Sequence, residues 1–301
     1  MTELRIRPGY ACINLSIEEN FKNFRLATVE KKEVEKLTNV LWHNIRLLRQ
    51  IIEYNVAHNI YVYRISSDLI PFGTHQYIKA LCEEVIFQNE EMLEHFGRIR
   101  ALKKFYNLRL SIHPGQFNVL SSPRKEVVVR SIEEINLQTR WIKELEGDNV
   151  VLHIGGVYGD KEEALRRFQD NLRYIDTELL SIENDDKSYS VGDVCPLCQR
   201  LGLKWVYDYH HDRCNPSDGQ SIQKWIRGYP PSKYHLSTGT PKVNCPSHAD
   251  YISKKDYEAF IALLKEIPLE EADVIFEAKK KDLAISHLLT PLAEGYWQPK
   301  S

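Results

Sequence analysis

No stretch of this 301-residue chain approaches the roughly 18 consecutive apolar residues that a membrane-spanning helix needs, so none is expected. The opening residues, MTELRIRPGY, carry no apolar run of the kind found in a secretory leader. Charge of one sign is also missing: 40 Lys and Arg stand against 42 Asp and Glu, for a net charge of −2. Any nucleic-acid-binding surface must therefore be a local patch, or one whose field is changed by bound metal ions. Cysteine is sparse, with six residues (Cys12, Cys82, Cys195, Cys198, Cys214 and Cys245) spread along the chain. That argues against a disulfide-stapled fold and leads us to expect reduced thiols in a cytoplasmic setting. Linkers, low-complexity runs and obvious repeats are absent, so one domain over residues 1–285 is the simpler reading, with 286–301 as an unassigned tail. No G-x-G-x-x-G follows the first apolar run, which weakens the alternative of a doubly wound α/β sheet.

What is present is 43% hydrophobic residues, enough for a sizeable core. In "LRLSIHPGQFNVL" (108–120) apolar residues alternate up to His113, where Pro-Gly stops the strand. The pattern recurs. "VVLHIGG" (150–156) ends at His153, "LLSIEND" (179–185) at Glu183, "LKWVYDYHH" (203–211) at Asp208 and "DVIFEAK" (273–279) at Glu277, while "KYHLS" (233–237) carries His235. With "LRIRPGY" (4–10) and "NIYVYRISS" (59–67), eight strands are expected near residues 5, 60, 108, 149, 179, 203, 233 and 273. Residues 34–55 carry an apolar stripe at helical spacing, 126–147 end in Gly, and 160–175 begin with Asp160 as N-cap. Eight strand–helix alternations over this length fit a single (β/α)8 TIM barrel, with its active site at the C-terminal mouth of the strands.

Parallel strands would gather these side chains on one rim. Crowded imidazoles and carboxylates need a cation among them, and a set without cysteine suits Zn, Mn, Fe or Co. Loops add His75, His211 and His248, giving nine candidate metal ligands: His75, His113, His153, Glu183, Asp208, His211, His235, His248 and Glu277. That number serves about three ions with positions left open for water or phosphate. Histidines 43, 58, 95 and 287 lie in helix-like stretches and read as structural or solvated, and of His210 and His211 the second is favoured. Lys233 lies two residues before His235, hence on the same strand face, and reads as a cation or modified side chain near the metals, or as a surface lysine at a strand start. "CPLC" (195–198) resembles half a zinc ribbon, but the second C-x-x-C is missing, so reduced thiols near a helix start are preferred.

Taken together, "GYACINLS", "NFRLAT", "YRISSDLIPFGTH", "SIHPGQF", "LHIGGVYGDK", "IEND", "YDYHH", "KYHLS" and "FEAKKKD" resemble, in the same order, the sequence blocks of the UV damage endonucleases. The resemblance runs from about residue 5 to 282. It implies a metal-dependent TIM barrel, similar to endonuclease IV. The activity implied is incision of damaged double-stranded DNA immediately 5′ of cyclobutane dimers, 6-4 photoproducts and some other lesions, leaving a 3′-hydroxyl and a 5′-phosphate. Manganese is the metal implied, two or three ions per chain, with Zn2+ or Co2+ as alternatives.

Carried over, the family's ligands fall on the nine residues above, and Lys233 matches a lysine placed beside the metals. Gln116 and Phe117 match residues that probe the damaged site, and Tyr10 and Asn14 match residues lining a lesion pocket. Position 117 is Phe where many members have Tyr, which removes a hydroxyl and leaves stacking.

Metal-assisted hydrolysis is the chemistry expected of this set. Glu183 and Glu277 are candidates for carboxylates shared between ions, and Lys233 and His235 for contacts to the scissile phosphate or the metals. Arg64, Lys161 and Lys242 are candidate phosphate contacts, and the chain is expected to act as a monomer. The rival readings are a metal-dependent sugar isomerase or epimerase, an endonuclease specific for abasic sites, and a damage-binding protein without catalysis.

Overall fold

The computed structural model describes residues 4–218, 221–239 and 247–289. Among them, eight parallel strands close into a barrel in sequence order, β1 to β8. The strands are β1 (Arg5–Ala11), β2 (Val62–Ile65), β3 (Arg109–Ile112), β4 (Asn149–Leu152), β5 (Leu180–Glu183), β6 (Lys204–Asp208), β7 (Lys233–Leu236) and β8 (Glu271–Phe276). The connecting helices are α1 (Leu26–Glu30), α2 (Val34–Ala57), α3 (Gln76–Val85), α4 (Glu90–Tyr106), α5 (Lys125–Glu144), α6 (Lys161–Asn171), α7 (Val191–Leu201), α8 (Tyr209–Cys214), α9 (Ile222–Gly228), α10 (Lys254–Lys265) and α11 (Lys281–Leu289). The TIM barrel read from the sequence is the fold observed.

Register decides which side chains enter the barrel. Gly9 pairs with Val62 and Ala11 with Arg64; Val206 pairs with Lys233 and Asp208 with His235. Side chains alternate along each strand, so residues paired in this way share a face. The inward set builds three tiers. At the N-terminal end, Arg7 meets Glu271 at 3.1 Å and Asp273 at 3.3 Å, while Arg109 meets Asp148 at 2.9 Å and Asp273 at 3.1 Å. The middle tier is mostly small: Gly9, Val62, Ser111, Val151, Ser181 and Val206, with Lys233. Gly9 has a steric reason to be glycine, because a Cβ there would lie 2.0 Å from the Val62 carbonyl oxygen. The C-terminal tier carries Arg64, Glu183, Asp208 and His235.

The outward face is the apolar core. Ile6, Tyr63, Ile65, Leu110, Ile112, Leu152 and Ile182 pack against Leu41, Ile45, Leu48 and Ile52 of α2 and their counterparts on the other helices. The boundary expected at residue 285 falls inside α11, whose Ile285 and Leu288 are buried. Among the described residues no helix is long and apolar enough to cross a membrane.

Candidate functional site

β3 and β4 each stop one residue short of a histidine, His113 and His153, while Glu183 and Asp208 are the last residues of β5 and β6. Closure of the barrel brings them together around Glu183. His113 Nε2 lies 3.3 Å from Glu183 Oε2, and His153 Nε2 lies 3.7 Å from the same oxygen. On the other side, His235 Nδ1 approaches Glu183 Oε1 to 2.8 Å and His211 Nδ1 to 3.7 Å. His235 Nδ1 also lies 3.5 Å from Glu277 Oε1, and His248 Nε2 lies 3.6 Å from Glu277 Oε2. Two groups of ligating atoms, His113–His153–Glu183 and Glu183–Asp208–His235, each lie within 4.8 Å of one another and share Glu183.

The donor set fits divalent cations. Glu183 Oε2, Asp208 Oδ2, His235 Nε2 and His153 Nδ1 are buried without a hydrogen bond, an expensive state unless something positive takes them up. Local bonds orient the rings: His113 Nδ1 bonds the Pro114 carbonyl at 2.9 Å, which turns Nε2 inward. The electrostatics follow from crowding. Burial opposes the charge on Glu183, yet His235, His153 and His113 hold its carboxyl well below the usual range. Burial, with repulsion from Glu183 and Glu277, pushes Asp208 up to about 6 against the pull of His211. His211 rises to about 9, because Asp208, Glu183 and Glu277 outweigh its own burial.

Three expectations land elsewhere. Tyr10 sits between the inward residues Gly9 and Ala11, so its ring faces α2. It is fully buried, donates to Asn55 Oδ1 at 2.7 Å and accepts from Asn14 Nδ2 at 2.7 Å. Asn14 is buried too, and its Oδ1 takes the amides of Ser16 and Ile17. In this arrangement the pair fixes the β1–α1 loop and presents no surface to a ligand; the exposed large apolar side chains of that loop are Ile13 and Leu15. His75 caps α3, with Nδ1 accepting from the Tyr77 amide at 3.2 Å, and none of its described contacts reaches the Glu183 cluster. Arg64 points into the barrel and pairs with Glu277 instead of facing outward. Lys161 pairs with Asp193 at 2.7 Å, and Lys242 lies outside the described residues.

Lys233 is inward and fully buried one tier below His235, and burial pulls it down to about 7. The thiols of Cys195 and Cys198 are buried inside α7 and pushed up to about 11 and about 12, unlike metal-binding thiolates. Cys245 lies outside the described residues.

The mouth is open beside the cluster. A cleft of about 500 Å³ runs along His113 and His153, bordered by Gln116, Gly156, Asp186 and Lys187. Next to it Phe117 is 82% exposed, with Tyr158 and Phe72 also exposed on neighbouring loops. Sequence reading missed Asn184, a buried residue directly after Glu183 whose side chain bonds the backbone of Asp208. Its polar type just past a strand end was the only available signal.

The model of the UV-endonuclease UvdE family matches residues 6–296. A UV DNA damage endonuclease of Bacillus cereus (strain B4264) is 29% identical over 287 residues, covering 91% of this chain and 88% of the relative. The crystal structure of SacUVDE superposes with a TM-score of 0.81 at 27% identity, over 97% of this chain and 99% of the other. Endonuclease IV from Thermus thermophilus, at 16% identity and a TM-score of 0.60 over 82% of this chain and 94% of its own, shares the fold.

Proposed function

This chain belongs to the UV-endonuclease UvdE family, and we propose that it is a DNA repair nuclease cutting the phosphodiester immediately 5′ of UV photoproducts. The lesions are cyclobutane pyrimidine dimers and 6-4 photoproducts, in double-stranded DNA, and the products are a 3′-hydroxyl and a 5′-phosphate. The observation that carries the reading is Glu183, a buried carboxylate shared by two groups of ligating atoms at the base of an open mouth.

Divalent ions, manganese in our reading with zinc or cobalt as substitutes, supply an acidified water and positive charge against a phosphate when bound. His113, His153, Glu183, Asp208, His211, His235, His248 and Glu277 are the residues that would hold two or three of them. Glu183 and Glu277 are assigned as the shared carboxylates. His235 lies between them, and Lys233 is buried one tier below, where the charges that act on it most strongly are Asp273 and Asp148 of the N-terminal tier. Gln116 and Phe117 are assigned to the lesion, because an aromatic ring kept 82% exposed at the rim is available for stacking. Dimers and 6-4 products have little base-edge chemistry in common but both weaken stacking, so a wedge senses deformability instead of hydrogen-bond pattern. The endonuclease domain expected over residues 1–285 is taken to include the whole of α11 (Lys281–Leu289), and to act as a monomer so that the mouth stays free for a bent duplex.

The test is incision of a duplex oligonucleotide carrying one cyclobutane dimer, with Mn2+ or with EDTA, the cut mapped to the nucleotide. A metal-dependent cut directly 5′ of the dimer, lost in Glu277→Gln, is expected. Folded, metal-loaded protein that leaves dimer and 6-4 duplexes intact overturns the reading, and a duplex with an abasic site is the substrate to try next. A sugar isomerase would keep a closed pocket, and the wide cleft with its exposed aromatic rim speaks against one.

A further inference from the structure

We propose that Asn184 is a positioning residue that joins the two halves of the metal centre by locking Asp208 and His211 to Glu183. The inference rests on the reading of the cluster as a metal centre. The β5–β6 ladder ends with Glu183 beside Val206. One residue further, the Asn184 side chain takes over the role of a strand. Its Oδ1 accepts the Asp208 amide at 2.8 Å and its Nδ2 donates to the Asp208 carbonyl at 3.0 Å, with the side chain fully buried. A planar amide thereby reproduces the donor–acceptor pair of a peptide unit across to β6.

The bonds close into a ring. Asp208 Oδ1 accepts the His211 amide at 2.7 Å, which caps α8. His211 Nδ1 in turn bonds the Asn184 main-chain carbonyl at 3.0 Å. That bond leaves Nε2 as the nitrogen available for ligation. Asp208 Oδ2 stays buried without a hydrogen bond, available to a cation. Every link runs through Asn184 or through the residue it holds. Partners of this kind, one bond removed from an ion, typically change metal affinity by roughly 10- to 100-fold when lost.

The experiment compares wild type with Asn184→Leu, which keeps the volume and loses both bonds, and Asn184→Asp, which keeps the acceptor and loses the donor. Mn2+ affinity is measured by calorimetry on EDTA-stripped protein. Deuterium exchange of the 204–214 segment is measured on the same metal-free protein. Asn184→Leu is expected to bind Mn2+ roughly 10- to 100-fold more weakly and to exchange faster at Asp208 and His211 only, with Asn184→Asp between the two. A folded Asn184→Leu with wild-type Mn2+ affinity overturns the proposal, as does unchanged exchange at Asp208. A lower thermal midpoint with both readouts intact marks a merely structural residue and also overturns it. If Asn184→Leu does not fold, Asn184→Asp decides by the same two readouts. Failure of wild type to bind Mn2+ sinks the metal-centre reading instead, and the exchange comparison then still decides whether Asn184 locks Asp208.

Discussion

Replacing Glu183 by Gln removes one charge from both groups of ligating atoms at once, because the two share its carboxylate. The loss should exceed that of an outer partner, so Mn2+ affinity is expected to fall by more than about 100-fold, read by calorimetry, with incision falling at least in parallel. Phe117 tests a different link. Its ring is 82% exposed, so Phe117→Ala should leave thermal stability and Mn2+ affinity unchanged. Base–aromatic stacking is worth about 1–3 kcal/mol, so affinity for a dimer-containing duplex should drop about 5- to 150-fold. A Phe117→Ala protein that binds and cuts dimer duplexes like wild type removes the wedge from the proposal. Tyr10, by contrast, is tied to the lesion by resemblance alone. The alternation of β1 places it between two inward residues, Gly9 and Ala11, and so turns it to the helix layer.

At the scale of elements, β1 and β2 approach so closely at Gly9 that an added Cβ meets the Val62 backbone. Gly9→Ala must push the two strands apart and should cost about 1–3 kcal/mol or more, measured by urea denaturation. The start of α10 offers a pH-dependent test. Ser253 accepts from the Asp256 amide at 3.1 Å, and Asp256 Oδ2 takes the hydroxyls of Thr238 and Ser253. Burial opposes the Asp256 charge, but those hydroxyls and Arg213 hold its carboxyl below the usual range. A depressed folded value contributes stability above the ordinary carboxylate range and loses it as pH falls through the lowered value. Asp256→Asn should therefore be less stable than wild type at neutral pH, and the gap should close as the solution is acidified below about pH 3.9. A gap that stays constant with pH would show that the charge contributes nothing. The N-cap expected at Asp160 is in place, with its side chain accepting from the Glu163 amide. Period-two alternation made the inward His, Glu and Asp legible from sequence. Asn184 was not legible, because its partner Asp208 lies 24 residues away and only barrel closure makes them neighbours.

For the whole molecule, ions that bind the folded chain alone must stabilise it by mass action. Mn2+ at 100 times its dissociation constant should add about 2.7 kcal/mol, seen as a raised thermal midpoint that EDTA reverses and that Glu183→Gln abolishes. An unchanged midpoint with saturating Mn2+ would mean that the cluster does not take the ion. The order of strands around the barrel also separates two kinds of residue. Gln116 and Phe117 stand on the single loop after β3, while the ligating atoms come from the ends of several strands held by the hydrogen-bonded wall between them. Inheritance can act on these parts separately. On the proposed function, a substitution in that one short loop, such as at position 117, would retune which distortions of a duplex are recognised while leaving the strand-end cluster untouched.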